Sequence, residues 1–212
     1  MKQLTQLEEQ FEKLGWFVLS LPDPKPVYQT RMALQNELRH LTKNSQITLE
    51  NYHEIVVKDE EHTQLQIQLT DFFRRQRFAY QIIASQLSFF QTLIGQDLKV
   101  QRNPYLRITR PQKPQDNIGY HRDTFYGGSP FELSVLIPYV DVSAESALSI
   151  LSGSHIRPES DFSTVQIPNP DPAVTKGSPK HQLGFLYAPK QMDFQQLQGI
   201  KPVPLKLSLI HI

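Results

Sequence analysis

The 212-residue chain contains no cysteine. This absence excludes disulfides, thiolate catalysis and zinc sites built on cysteine. Histidine and the carboxylates are the only strong metal ligands left in the sequence. Any metal site must therefore be built from these two kinds of side chain.

The sequence also lacks long apolar runs and an excess of one charge. No stretch approaches the ~18 apolar residues of a membrane span, and residues 1–12 have no apolar core of a signal peptide. The 22 basic and 21 acidic residues are interspersed and give a net charge of +1. We therefore expect a cytoplasmic protein that acts on a small molecule, with no nucleic acid or membrane as partner. No heptad or self-complementary patch indicates an oligomeric state.

Helical spacing of apolar residues dominates the first half of the chain. A helix over residues 4–14, ended by Gly15, precedes a strand over residues 16–19. A second helix is predicted over residues 28–41, and residues 44–51 form a loop.

The longest helical pattern runs over residues 63–94, with a break predicted near residues 70–71. Its apolar stripe is typical of a helix that packs on a sheet. The stripe consists of Phe72, Phe73, Phe78, Ile82, Ile83, Leu87, Phe90 and Ile94. Arg74, Arg75 and Arg77 form a small basic cluster, which we interpret as a solvated helix face rather than a phosphate site. The isolated His40, His53 and His62 are interpreted as ordinary surface or packing residues.

Extended segments follow after Gly95. One or two strands are predicted over residues 98–109, and further strands over 120–124, 131–142 and 147–151. Helices followed by successive strands favour an α+β fold, mainly β: a double-stranded β-helix (a cupin-like jelly roll) with N-terminal and flanking helices. Sixteen prolines agree with many loops. We expect a single domain over residues 1–212.

The segment with the most chemistry is His121-Arg122-Asp123, followed by the turn at Gly127-Gly128. Residues i and i+2 of a strand project from the same face, so His121 and Asp123 can converge on one point. An imidazole and a carboxylate are two thirds of the 2-His-1-carboxylate triad that binds Fe(II). A chance spacing, with an internal hydrogen bond between the two side chains, is the alternative.

This order of features resembles the phytanoyl-CoA dioxygenase-like family of Fe(II)- and 2-oxoglutarate-dependent oxygenases. The resemblance is carried by an N-terminal helix running into 15–19, by His121 and Asp123, by Leu136-Ile137-Pro138 and by the Leu-Ser-Gly-Ser-His turn at 151–155. It covers residues 7–206, and its most specific part is residues 119–155.

The resemblance implies that His121 and Asp123 are two ligands of Fe(II), with 2-oxoglutarate and O2 as co-substrates. The expected reaction hydroxylates a small organic substrate and releases succinate and CO2. Arg107, Thr109 and Ser134, on flanking strands, are candidates for contacts with the co-substrate.

Two further motif residues are expected to be structural. The resemblance implies that His155 belongs to a structural turn. Arg122 should face away from the two ligands.

The chain departs from the family pattern at its third ligand. The family has a distal His on a late strand and then an Arg that binds 2-oxoglutarate, but here only His211 lies in an apolar run and no Arg follows it. Either His211 is the third ligand, or residues 207–212 are a non-native tail and the chain lacks its last strands. The missing ligand leaves a second function open, a non-catalytic jelly roll that binds a small molecule or a metal.

Overall fold

The computed structural model describes residues 2–113, 116–126, 128–129, 132–166, 190–193, 199–203 and 209–211. Helices and strands both occur, so the α+β prediction is confirmed. The emphasis on β structure is not seen in the described ranges, where helical residues outnumber strand residues. No jelly-roll barrel is seen among these residues, whose sheets have two strands each.

The chain divides into two compact units. The first comprises residues 1–20, 117–172 and 187–212, and the second comprises residues 21–116 and 173–186. Compact units of one chain can belong to one domain, so the single domain over residues 1–212 stays a prediction.

All the described strands belong to the first unit. Its elements are α1 (Lys2–Leu14), β1 (Val18–Ser20), β2 (Leu148–Leu151), β3 (Thr164–Gln166), β4 (Lys190–Met192), β5 (Ile200–Val203) and β6 (Leu209–His211). The strands form the antiparallel pairs β1–β6, β2–β5 and β3–β4. The predicted strands at 16–19 and 147–151 are thus confirmed as β1 and β2, within a residue or two.

The second unit is helical in its described residues. Its helices are α2 (Lys25–Thr42), α3 (Tyr52–Ile55), α4 (Asp59–Arg75), α5 (Phe78–Ala84) and α6 (Leu87–Ile94). The core contains residues from α2 to α6, together with Leu21, Ile47, Val56 and Leu106. The helical residues are Val27, Leu34, Leu38, Tyr52, Leu65, Leu69, Phe73, Ile82 and Phe90. None of the described helices has both the length and the apolar character that a bilayer span requires.

The long helical tract breaks at a different place from the one predicted. Helix α4 continues through Thr70, which is fully buried, and ends at Arg75. The breaks lie at 76–77 and 85–86, the first at Arg77 in the left-handed region with φ of 57°. Because each break turns the following helix, the apolar stripe is not continuous, and Leu87 and Ile94 are exposed.

The strand predicted over residues 98–109 is wrong. The backbone of this segment bonds to side chains of α4 instead of to a neighbouring strand. Gln66 donates from Nε2 to the carbonyl of Leu106 and accepts from the amide of Ile108 at 3.0 Å. Arg74 Nε donates to the carbonyl of Pro104 at 3.0 Å. The extended sequence is satisfied by these side chains and needs no sheet partner.

The strands predicted at 120–124 and 131–142 are also wrong in the described residues. The first segment runs into a short 3₁₀ helix at Asp123–Tyr126. The second contains only isolated bridges, at Leu136 and Val142, within its described residues 132–142. Pro138, which has no backbone N–H, removes a ladder donor in the middle of the second segment.

A polar network around the buried Arg110 connects Asp116 with the segment between the end of α3 and the start of α4. Arg110 binds Asp116 through Nε at 2.8 Å and Nη2 at 3.0 Å, and both side chains are at most 3% exposed. Nη2 also reaches Asp59 at 2.8 Å. Nη1 donates to backbone carbonyls at 56–58. These bonds raise the pKa of Arg110, chiefly through Asp116.

Removal of Arg110 should strongly destabilise the protein, because Asp116 would be left as a buried charge without its partner. We expect Arg110→Ala to lower the free energy of unfolding by about 3–5 kcal/mol in urea titrations. The control is Arg75→Ala, which breaks the exposed pair with Asp71 at 3.0 Å and should cost less than about 0.5 kcal/mol. Equal losses in the two variants would contradict a structural role for the Arg110 network.

His62 connects this network to Tyr52. Its Nδ1 lies 3.0 Å from the Tyr52 hydroxyl and its Nε2 lies 3.6 Å from Asp116. Burial lowers the pKa of His62 and outweighs the opposing effect of Asp116. His62 was interpreted from the sequence as an ordinary histidine, and its packing in the interior agrees with that.

The lowered pKa of His62 makes the protein less stable in acid. The unfolded chain binds this proton more readily than the folded one, so the free energy of unfolding should fall as the pH decreases below about 6.5. Urea titrations between pH 7 and pH 5 should show a smaller fall in His62→Gln than in the wild type. The control variant, His53→Gln at an exposed site, should keep the wild-type slope. A His62→Gln variant with the wild-type slope would show that another group causes the acid sensitivity.

Candidate metal centre

The side chains of His121 and Asp123 converge. His121 Nε2 lies 3.5 Å from Asp123 Oδ1, with the two side chains 26% and 61% exposed. The predicted convergence therefore occurs, although a turn and not a strand produces it, since Asp123 begins a 3₁₀ helix. Metal binding at this pair stays a prediction.

The backbone fixes the orientation of the His121 ring. Nδ1 lies 2.7 Å from the carbonyl oxygen of Gly119. A carbonyl oxygen only accepts, so Nδ1 is the protonated nitrogen, and in the neutral imidazole Nε2 carries the lone pair. Histidines that bind metals commonly have this kind of second hydrogen bond.

Asp123 is oriented by a serine and by a close backbone approach. Ser134 Oγ donates to Asp123 Oδ2 at 2.9 Å, while Oδ1 is the oxygen nearest His121. The amide of Gly128 donates to the Asp123 carbonyl at 3.0 Å, and a Cβ at Gly128 would lie 3.0 Å from that oxygen. The glycine turn thus packs directly against the carboxylate residue.

Arg122 faces other partners than the two candidate ligands. Its Nη2 donates to the carbonyls of Ser154 and, at 2.8 Å, of Arg157. Its guanidinium also lies over the Phe162 ring, 4.5 Å from the centroid. Arg122 therefore ties the segment with His121 and Asp123 to the turn that follows β2.

The turn after β2 is joined to α1 and to the residues that follow α1. The amide of Gly153 donates to the carbonyl of Leu14 at 2.9 Å, and Trp16 Nε1 donates to Ser152 Oγ at 3.0 Å. His155 Nε2 lies 3.1 Å from the carbonyl of Glu12. His155 thus makes structural contacts, as the sequence led us to expect.

Arg107 and Thr109 lie in the second unit and are exposed. The Arg107 guanidinium lies over the Tyr105 ring, 5.2 Å from the centroid. Ser134, the predicted co-substrate contact that lies in the first unit with the pair, binds Asp123. The co-substrate contacts of all three stay predictions.

The described part of the chain does not complete a metal site of three ligands. No group of three His, Asp or Glu residues that could hold a metal is found there. The backbone of His211 lies in β6, opposite Val18 of β1.

Sequence reasoning missed the strand that borders the pair. The amide of Met192 in β4 donates to the carbonyl of Tyr120 at 2.7 Å, and the Gln191 side chain packs against Gly119. Residues 120 and 192 are far apart in sequence, and no motif near 190 indicated this pairing.

Comparisons of the chain with protein-family models, curated proteins and solved structures gave no match. The resemblance to the phytanoyl-CoA dioxygenase-like family therefore stays a prediction from the sequence motifs.

The packing of His155 against Gly15 can be tested by mutation. Gly15 has φ of +80°, and a Cβ there would lie 2.4 Å from His155 Nδ1. We expect Gly15→Ala to lower the free energy of unfolding by about 2–5 kcal/mol through backbone strain and overpacking. In a His155→Ala background the loss should shrink to about 1–2 kcal/mol, the backbone part alone. Additive losses in urea titrations would show that the two residues do not pack together.

Proposed function

We propose that the chain is a cytoplasmic non-haem Fe(II)- and 2-oxoglutarate-dependent dioxygenase. The observation that carries the proposal is the convergence of His121 Nε2 and Asp123 Oδ1, each held by a second hydrogen bond. The motif resemblance supplies the co-substrate and the reaction class.

The donor atoms fit a single metal ion. Two atoms bound to one ion at about 2.1 Å can lie at most about 4.2 Å apart, so the 3.5 Å separation is short enough. One imidazole and one carboxylate suit Fe(II), and two protein ligands leave positions for a third ligand and for co-substrates. The exposure of the Asp123 carboxylate allows a substrate to approach it from solvent.

Iron, when bound with 2-oxoglutarate and O2, supplies the insertion of one oxygen atom into a substrate C–H bond and of the other into succinate, with release of CO2. The protein residues prepare the site for this chemistry. The Gly119 carbonyl keeps the proton on Nδ1 of His121, and Ser134 holds the second oxygen of Asp123. Arg107 and Thr109 are retained as proposed contacts with the co-substrate.

We propose a jelly roll as the fold that carries this site. The support is that the three described strand pairs are all antiparallel and connect residues distant in sequence, as in β1–β6 and β2–β5. A double-stranded β-helix is built from such long-range antiparallel pairs.

A second function is favoured by the same distance. At 3.5 Å, His121 and Asp123 are close enough for a direct interaction between the two side chains without any metal. The site would then belong to a non-catalytic protein that binds a small molecule or a metal. The dioxygenase is preferred because it also accounts for the motif resemblance, which extends beyond the pair to the turn at 151–155.

The proposed activity requires the Asp123 carboxylate. Asp123→Ala should abolish Fe(II)-dependent formation of succinate from 2-oxoglutarate, because the metal would lose one of its two proposed ligands. Asp97→Ala, at an exposed position, is the matched control and should leave succinate formation unchanged. Equal succinate formation by wild type and Asp123→Ala would rule out the proposed reaction at this site.

Ser134 should affect the metal affinity through its hydrogen bond to Asp123, without binding the metal itself. We expect Ser134→Ala to weaken Fe(II) binding by about 10–100-fold in anaerobic calorimetric titrations, because Asp123 loses the donor that orients it. Ser88→Ala, an exposed serine in α6, controls for the change of residue type. Unchanged affinity in Ser134→Ala would show that the bond to Asp123 does not organise the site.

A further inference from the structure

A second candidate site, separate from His121 and Asp123, lies in the second unit. A cavity of about 640 Å³ is formed where α4 ends and α5 begins, together with residues 100–104. Its volume lies within the range of small-molecule pockets, about 300–1,000 Å³. All its lining residues belong to the second unit, so its role is independent of the function proposed for His121 and Asp123.

The cavity concentrates positive charge. Four arginines line it, and the lining residues include no Asp or Glu. These are Arg74, Arg75, Arg77 and Arg102. The chain as a whole has a net charge of only +1, so this is a local surplus. Arg75 and Arg77 are exposed, which agrees with the solvated helix face expected from the sequence, and a ligand can approach the cluster from solvent.

Two of the four arginines are occupied by neighbours. Arg75 Nε binds Asp71 at 3.0 Å, and Arg74 Nε donates to the carbonyl of Pro104 at 3.0 Å. Within the described ranges, the guanidinium groups of Arg77 and Arg102 have no hydrogen-bond acceptor. Arg77 and Arg102 therefore have guanidinium N–H groups that can donate hydrogen bonds to a ligand.

Arg77 is held in an unusual conformation. Its backbone lies in the left-handed region, with φ of 57° and ψ of 33°, where a residue other than glycine is strained. Its guanidinium lies over the Tyr80 ring, 4.5 Å from the centroid. Stacking occupies the flat face of the guanidinium, while the N–H groups point outwards in its plane, which is the geometry that binds an oxyanion.

The ligand that suits these features carries more than one negative charge and an apolar part. A guanidinium fork matches the oxygens of a phosphate or a carboxylate, and several arginines together favour a multiply charged group. Phe73 and Phe78 supply apolar surface beside the arginines. We propose that this cavity binds a small organic phosphate, with Arg77 and Arg102 as the direct contacts to its phosphate oxygens.

Inorganic pyrophosphate is the probe for the phosphate part, in calorimetric titrations of the full chain at low salt. We expect saturable binding to the wild type that weakens about tenfold or more in Arg77→Gln and in Arg102→Gln, since each variant loses charge-assisted hydrogen bonds. Arg31→Gln removes the same charge within the second unit but outside the cavity, from an exposed pair with Glu50, and should change affinity less than twofold. Citrate, a multivalent carboxylate, should bind more weakly than pyrophosphate.

Arg77→Gly separates binding from folding. Glycine suits the left-handed backbone at this position, so the variant should be at least as stable as the wild type in urea and still lose pyrophosphate binding. The proposal is overturned by absence of saturable binding to the wild type, by unchanged affinity in Arg77→Gly, or by an equal loss in Arg31→Gln. Tighter binding of citrate would overturn the assignment to phosphate.

Discussion

The candidate metal centre depends on the contacts that the Arg122 guanidinium makes with the turn after β2. The guanidinium binds the carbonyls of Ser154 and Arg157 and packs on Phe162, so the middle residue of His121-Arg122-Asp123 is anchored to the turn after β2. That turn is bonded to the end of α1 through Gly153 and Leu14. With the central side chain fixed, the flanking imidazole and carboxylate can be oriented by two short bonds, from the ring to Gly119 and from Ser134 to Asp123.

The candidate ligands could be identified from sequence because the relevant distance is local. His121 and Asp123 are two residues apart, and a 3₁₀ turn brings their side chains together as effectively as a strand does. Ser134 was also selected, but its contact with Asp123 needs a backbone path that the sequence does not specify. The roles of β4 and of the Arg122 anchor were beyond reach, since both depend on pairing between distant segments.

The fold was predictable where periodicity controls it and not where side chains replace backbone partners. Helices α1 and α2 follow their apolar spacing, and Gly15 ends the first. The segment at 98–109 has the composition of a strand, yet Gln66 and Arg74 of α4 satisfy its backbone. No glycine or proline beside Arg77 indicates that the helix breaks there. Arg110 and Asp116 form a buried pair that charge counting could not distinguish from surface residues.

The proposed function requires that His121 and Asp123 bind an iron ion that also binds 2-oxoglutarate. Anaerobic titration of the wild-type chain with Fe(II), with and without 2-oxoglutarate, tests it most directly. We expect the keto acid to tighten Fe(II) binding, because the keto acid and the two side chains would bind the same ion, and iron to tighten binding of the keto acid by the same factor. An Fe(II) affinity that does not respond to 2-oxoglutarate would contradict it and favour the non-catalytic alternative.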